Sequence, residues 1–186
     1  EGAEPFSCVV PGAALSEGEK ICSDVDEPAS VTQGARHVMF KVGDTMLVSR
    51  RLEGEFLAYR QAIPRNNTIH VEGETRALLS SIDRVSLIIS DKLKSPLRCV
   101  FDSNLLKIST KTAIGDAYDE CPLSGDGGGL EIGFNNKYLM DALKAAPADR
   151  LRLEFTSGVA PCVILPTEGE ENFLYMVLPV RLKAGE

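Results

Sequence analysis

The fold is decided by residues 130–155, LEIGFNNKYLMDALKAAPADRLRLEF. Leu130 to Phe134 reads as a strand. Asn135 is a good helix N-cap, because its side chain accepts from the open N–H groups of a first turn. A helix is expected to run from there through Ala146, where Pro147 stops it by lacking an N–H and crowding the preceding turn. Beyond the stop, Leu151, Leu153 and Phe155 alternate with Arg152 and Glu154, the period-two signature of a half-buried strand. Strands are expected again over 161–165 and 173–178. The unit is therefore strand, helix, then several strands.

The same order recurs twice upstream. A strand over 68–72 is followed by a longer helix over 73–92 and strands over 97–101, 105–110 and 117–123, with turns at Asn104 and at Gly115-Asp116. The run Gly125-Asp126-Gly127-Gly128-Gly129 reads as a flexible joint. Before it, a strand over 6–10 leads through Pro11-Gly12 into a weak helix over 12–23, with Leu15 and Ile21 apolar, and then into strands over 29–33, 37–42 and 45–52. Repeats of about 50 residues with one helix and three or four strands indicate α+β units, each an amphipathic helix on a mostly antiparallel sheet. Two of them, 67–182, can cover each other and form a domain. The first, 5–52, is left without a partner half.

Composition narrows the function classes. The chain has 186 residues, 25% of them charged and 44% hydrophobic, with a formal charge of −7. These are the values of an ordered globular protein, and the acidic balance argues against a generally basic nucleic-acid coat. The charge is uneven: segments 12–23, 72–94 and 135–146 carry −1, 0 and +1, so the acidity lies on strands and loops. No apolar run approaches the ~18–20 residues of a membrane span, and the first residues lack the features of a signal peptide. The missing initiator Met is read as a processed, trimmed or truncated end. The five Cys (8, 22, 99, 121 and 162) are odd in number and form no C-x-x-C. They are read as buried free thiols of a reducing cytosol, not as a disulfide framework or zinc site. No metal ligand set and no cofactor is expected.

Four stretches carry a resemblance. Leu52-Glu53-Gly54-Glu55-Phe56-Leu57-Ala58-Tyr59-Arg60-Gln61-Ala62-Ile63-Pro64 resembles a segment of the bacterial sliding clamp, the beta subunit of DNA polymerase III. Ile132-Gly133-Phe134-Asn135 with Tyr138-Leu139-Met140-Asp141-Ala142-Leu143 is similar to that family's last helix. Tyr175 to Leu182 is similar to its C-terminal strand, and Arg84-Val85-Ser86-Leu87-Ile88 to a helix of its third domain. The stretches occur in family order from about residue 5 to residue 182. The resemblance implies an α+β clamp fold with helices on one layer and antiparallel sheets on the other. It assigns 1–63 to the second half of the middle domain and 64–186 to a complete C-terminal domain. The sequence departs from the family pattern at Leu57, Gln61, Leu178 and Val180, which alters the shape of a pocket more than its existence.

The resemblance also implies three sites. A groove for hydrophobic peptides of partners would use Leu57, Gln61, Ala62, Val159, Pro161, Met176, Leu178 and Val180, with Arg181 pairing peptide polar groups. Those partners would be the DNA polymerase III alpha subunit, the clamp loader and other proteins with a clamp-binding motif. Without the resemblance, strand or core packing is the better account of the apolar members. A face of basic helix residues, Arg76, Arg84, Lys137 and Lys144, would meet duplex DNA without reading its sequence. Arg76, Ser80 and Arg84 share one helix face, and Lys92 and Lys94 lie at that helix's end. On charge alone, a solvated face serves as well. Leu87 and Ile88 would join a head-to-tail homodimer ring.

No catalytic residue is assigned. His37 and His70 read as strand residues. The Gly-rich run lacks the Lys-Ser/Thr of a phosphate loop, and Asp116, Asp119 and Glu120 read as a solvated turn. The expectation is a non-catalytic, cytoplasmic, nucleoid-associated processivity factor. A stand-alone peptide-binding module with no role on DNA remains the alternative.

Overall fold

The computed structural model of the protein describes residues 5–23, 25–90, 95–168 and 173–182. The chain divides into two compact units, Glu1–Ala58 and Tyr59–Glu186.

In the first unit, α1 (Gly12–Ser23) precedes a meander of β1 (Ser30–Gln33), β2 (His37–Val42) and β3 (Thr45–Arg50). The expected strand over 6–10 is reduced to one bridge, Val9 to Leu52. The helix packs on the sheet face that carries Val38, Phe40 and Val42. Gly18 is its buried residue, and a Cβ there would sit 3.8 Å from the Phe40 ring. The opposite face carries Met39, Met46 and Val48, and the last two are each 55% exposed.

The second unit begins with α2 (Tyr59–Ala62). Strand β4 (Ile69–Glu74) then runs straight into α3 (Thr75–Ser86). The first turn of α3 is held from outside the helix: the Thr75 N–H donates to Asp149 O at 2.8 Å and Thr75 Oγ1 to Ala148 O at 2.6 Å. This helix ends at Ser86, earlier than expected. Leu87 and Ile89 close i→i+3 turns onto Arg84 and Ser86, and the β-branched pair Ile88-Ile89 gives little support to another α turn. Residues 91 and 92 of the expected helix, and Lys94, lie outside the described residues.

A hairpin of two long strands follows, β5 (Leu97–Thr112) and β6 (Gly115–Phe134). The sequence features expected to break these strands bend them instead. Asn104 adopts φ 57°, its Oδ1 accepts from the Gly125 N–H at 3.2 Å, and the register shifts between Phe101 and Leu105. The glycine run lies inside β6, not in a joint, with φ 105° at Gly125 and positive φ again at Gly128 and Gly129. Gly and Asn mark bulges as readily as turns, because both need a backbone conformation that costs other residues energy. Asp116, Asp119 and Glu120 are strand residues of this hairpin, not a turn.

Helix α4 (Asn136–Ala145) is capped as expected: Asn135 Oδ1 accepts from the Lys137 and Tyr138 N–H groups at 3.0 and 3.3 Å. Then come β7 (Arg150–Phe155), β8 (Cys162–Pro166), β9 (Tyr175–Val177) and β10 (Pro179–Val180). The sheet has the order β10-β6-β4-β7-β8-β9, with β5 on β6, and its pairs are antiparallel. All six residues of β4 pair with β7, so one sheet is shared by the two downstream repeats. Leu151, Leu153 and Phe155 are buried as their alternation requires. The core joins them to Leu78, Ile82 and Val85 of α3, Leu139 and Leu143 of α4, and Phe101, whose ring lies 4.6 Å from that of Phe155. Cys99, Cys121 and Cys162 are buried, and burial pushes the Cys99 thiol up to about 12 and raises those of Cys121 and Cys162. Cys22 is exposed, against expectation, because α1 turns that side outward.

Candidate functional site

The last strands build a groove from an extended segment that changes partners. Met176 and Val177 pair with β8, whereas Pro179 and Val180 pair with β6. Between the two ladders Leu178 is unpaired and 63% exposed. Val177 points inward, and the two-residue period puts Met176, Leu178 and Val180 on the other side. Two glycines let the chain close in here. A Cβ on Gly133 would meet Val180 O at 2.5 Å, and one on Gly158 would meet Glu131 O at 2.1 Å. The result is an open cavity of about 770 Å³, lined by Val159, Val180 and Arg181 together with Glu131 and Leu182. Val159 is 81% exposed. The Glu131 carboxylate is engaged by Arg98 at 2.5 Å, while Arg181 makes no ion pair among the described residues. Met176 and Pro161 are half-buried at the side of this cavity's strands and do not line it, nor do Gln61 and Ala62, which are exposed on α2. Leu57 is exposed on the first unit.

The basic helix residues fall into two groups. Lys137 and Lys144 line one cavity of about 760 Å³ between α3 and α4, together with Asp83, Asp141 and Tyr138. Arg76 is exposed near the start of α3. Arg84 is turned instead onto β6: its guanidinium meets Asp119 Oδ2 at 2.6 Å and donates to Ser80 Oγ and Ser81 Oγ. Ser80 and Arg84 therefore share a face, as the spacing required, but much of that cation's charge is answered within the protein. Asp119 is partly desolvated, which alone would raise its pKa. The bonds from Arg84, the Glu120 N–H and Ser81 outweigh this and hold the carboxyl below its ordinary value.

That ion pair has a geometric consequence the sequence reading missed. It places the last turn of α3 against the half of β6 from Gly115 to Leu123, which among the described residues is paired on one side only, by β5. Leu87 follows Arg84 by three residues and is 79% exposed, with Ile88 half-buried beside it. An exposed apolar helix end thus adjoins an open strand edge. The edge carries Asp116, Glu120 and Pro122, the residue types that protect such edges from random pairing. The strand itself was expected over 117–123, and the burial of Cys121 and Leu123 fits its alternation. Which of its edges stays open depends on partner strands distant in the chain, and no local signal gives that.

His70 lies 3.4 Å from Glu154, but that carboxylate is also held by Arg152 and Asn67 in a cross-strand network with no nucleophile. No cluster of His, Cys, Asp and Glu suited to a metal ion occurs among the described residues. No described helix is long and apolar enough to cross a membrane.

Comparison with known proteins decides the family. The C-terminal domain of the DNA polymerase III beta subunit matches residues 60–181. The chain belongs to the beta sliding clamp family. It is 32% identical over 180 residues to the beta sliding clamps of Staphylococcus aureus and Staphylococcus epidermidis, a match covering 96% of this chain and 48% of each relative. Among solved structures, a putative DNA polymerase III beta subunit from Eubacterium rectale is 30% identical with a TM-score of 0.84, covering 96% of this chain and 48% of that one. The beta subunit from Thermotoga maritima is 27% identical with the same TM-score, covering 98% and 50%. The chain thus corresponds to a C-terminal region spanning about half the length of these clamps, and it has the α+β sliding-clamp fold, a curled antiparallel sheet with helices. The family is one of non-catalytic processivity subunits of DNA replication.

Proposed function

We propose that this chain acts as the partner-binding half of a sliding clamp: within a full-length, head-to-tail homodimer ring it surrounds duplex DNA and tethers the replicative polymerase through the groove at Val159, Leu178, Val180 and Arg181. The observation that carries this reading is the set of exposed side chains Val159, Leu178 and Val180 at the open cavity, with the half-buried Met176 beside them, since exposed apolar side chains around a concave site suit a hydrophobic peptide. Gln61, Ala62 and Pro161 belong to the same proposal as flanking contacts; Leu57, which the family resemblance adds to them, lies on the first unit. Partners would be the DNA polymerase III alpha subunit, the clamp loader and other carriers of the same peptide motif. The site of action would be the bacterial cytoplasm, at the nucleoid.

Lys137 and Lys144, with Arg76, would supply phosphate contacts that are salt-dependent and indifferent to sequence. Arg84 belongs better to the ring edge, with Leu87, Ile88 and the open half of β6, where an added strand could pair. On this reading residues 1–63 are the second half of a middle clamp domain and 64–186 a whole C-terminal one.

The test is fluorescence anisotropy with a labelled Gln-Leu-x-Leu-Phe peptide. Weak, saturable binding is expected, and the double variant Met176→Ala, Leu178→Ala should abolish it. Undiminished binding by that variant would refute the groove.

A further inference from the structure

The first unit contains a basic cavity that the clamp reading does not use. It measures about 510 Å³ and is lined by Arg36, Arg50 and Arg51 with Ala35, Leu52 and Glu53. The fold brings the three arginines together. Arg36 lies in the turn between β1 and β2, and its carbonyl accepts from the Arg51 N–H at 3.0 Å where β3 ends. Arg50 is the last residue of β3 and stands opposite His37.

Arg51 is positioned from within. Its Nη1 donates to Gly34 O at 3.1 Å and Ala35 O at 3.4 Å, which fixes the guanidinium plane against the turn. Its Nε–H is buried and has no hydrogen-bond partner. A buried donor left unpaired is costly and uncommon, and on a guanidinium the penalty is larger. The guanidinium groups of Arg36 and Arg50 make no ion pair or hydrogen bond among the described residues, and Glu53, the one carboxylate lining the cavity, is paired with none of the three. Three cations against one anion thus line the cavity, with Arg51 held rigid against the turn, and the planar forks of Arg36 and Arg50 are of the kind that bonds two oxygens at once.

We propose that Arg36, Arg50 and Arg51 form a phosphate-binding site, taking a phosphoryl group from either a free polyphosphate or a nucleic-acid backbone. Its volume is that of a small-molecule pocket, larger than one phosphate needs, so a diphosphate or two consecutive backbone phosphates fit the class better than a single ion. The basic residues on α3 and α4 belong to the other unit.

Isothermal titration of the full chain with inorganic pyrophosphate, and in parallel with a five-residue oligothymidylate, tests it at low and moderate salt. Saturable binding is expected, and Arg36→Gln with Arg50→Gln should weaken it by at least about tenfold, since charge-assisted bonds are lost. Neither side chain makes a hydrogen bond or ion pair among the described residues, so this pair keeps the test valid if Arg51→Gln loosens the turn. Oligothymidylate binding tighter than pyrophosphate, and lost in the same double variant, supports a backbone as the source; the reverse order supports a free polyphosphate. Absence of binding by both probes overturns the proposal. So does binding that survives the double variant, or that disappears instead in Lys137→Gln with Lys144→Gln. That last pattern would leave the helix-face reading standing, while binding confined to the arginines would leave it untouched.

Discussion

Both units set helices on antiparallel strands, yet among the described residues only the second has a deep interior. In the second unit, α3 and α4 cover a shared seven-stranded sheet, and aromatic and aliphatic residues from every layer reach 0–1% exposure. In the first, Val38 and Val42 are the only buried hydrophobic residues among those described, and just Val38 reaches 1% exposure, while Leu15, Val31, Met46 and Val48 remain 45–55% exposed. The local patterning is comparable, so patterning does not account for the difference. A single helix on a three-stranded sheet has too little surface to enclose a core, and two repeats sharing one sheet do enclose one. The lesson is that a repeat of this kind is half of a structure, completed by its neighbour through the β4–β7 ladder.

The largest expected effect comes from striking each interior in turn. Phe155→Ala removes a fully buried ring stacked near Phe101 and should destabilise the second unit by about 3–5 kcal/mol. Val38→Ala should cost the first unit only about 2 kcal/mol, from two lost methyl groups and a small cavity. Hydrogen exchange reads the units separately. Phe155→Ala should speed exchange in β4 to β8 and leave β1 to β3 unchanged. Equal acceleration in both would mean that the units form one cooperative block, and the contrast would collapse.

Glycines sharpen the same contrast. A Cβ on Gly127 would lie 2.2 Å from the Phe101 carbonyl oxygen, in the middle of the β5–β6 hairpin. Backbone must move to admit it, so Gly127→Ala should cost about 3 kcal/mol, seen as a lower urea midpoint for the second unit. Gly54 in the first unit has φ 97° but nothing within 4 Å, so Gly54→Ala meets only conformational strain of about 1–2 kcal/mol. A Gly127→Ala chain as stable as the parent would show that the hairpin is not packed as described.

These glycines also mark where sequence reading succeeded and failed. Helix α4, its Asn135 cap and the alternation in β7 were legible because each rests on neighbours a few residues apart. The ends of β5 and β6 were not. Asn104 and Gly125 to Gly129 give the same local signal whether the chain turns or merely bulges, and only the partner strand decides between them. The end of α3 was misjudged because the apolar run Leu87-Ile88-Ile89 looks like a continuing face. For the proposed groove, the motif residues do not show how the fold divides them: Val159, Val180 and Arg181 line the cavity while Met176, Leu178 and Pro161 stand aside. Arg84 was assigned by helix spacing, which cannot see Asp119, 35 residues away in the chain. The arginine cavity left no local signature, since Arg36 joins Arg50 and Arg51 only through the β1–β2 turn.

A smaller effect separates two helix starts within the second unit. Asn135→Ala removes the acceptor for two N–H groups of α4 and should cost about 1 kcal/mol in urea unfolding. Glu74→Ala should change little, because Glu74 makes no side-chain cap and α3 is held through Thr75 by residues 148 and 149. If Glu74→Ala costs as much as Asn135→Ala, the account of how α3 begins is wrong.

The smallest expected effect concerns the pair that ties α3 to the open edge of β6. Asp119 has a depressed pKa in the folded chain, so its ionised form stabilises folding above the ordinary carboxylate value of 3.8, and that contribution is lost as pH falls through the lower folded value. Its contacts lie near solvent, so the contribution at neutral pH is modest, ~0.2–1 kcal/mol. Asp119→Asn keeps the size of the side chain and removes the charge. Urea unfolding of both proteins between neutral and strongly acid pH should show a gap that is constant above the ordinary carboxylate range and closes below it. A gap unchanged down to the acid limit would mean that packing, not the Arg84 ion pair, makes the difference. In that case the last turn of α3, with Leu87, would be held against the edge by shape alone, and Arg84 would again be available to face nucleic acid with Lys137 and Lys144.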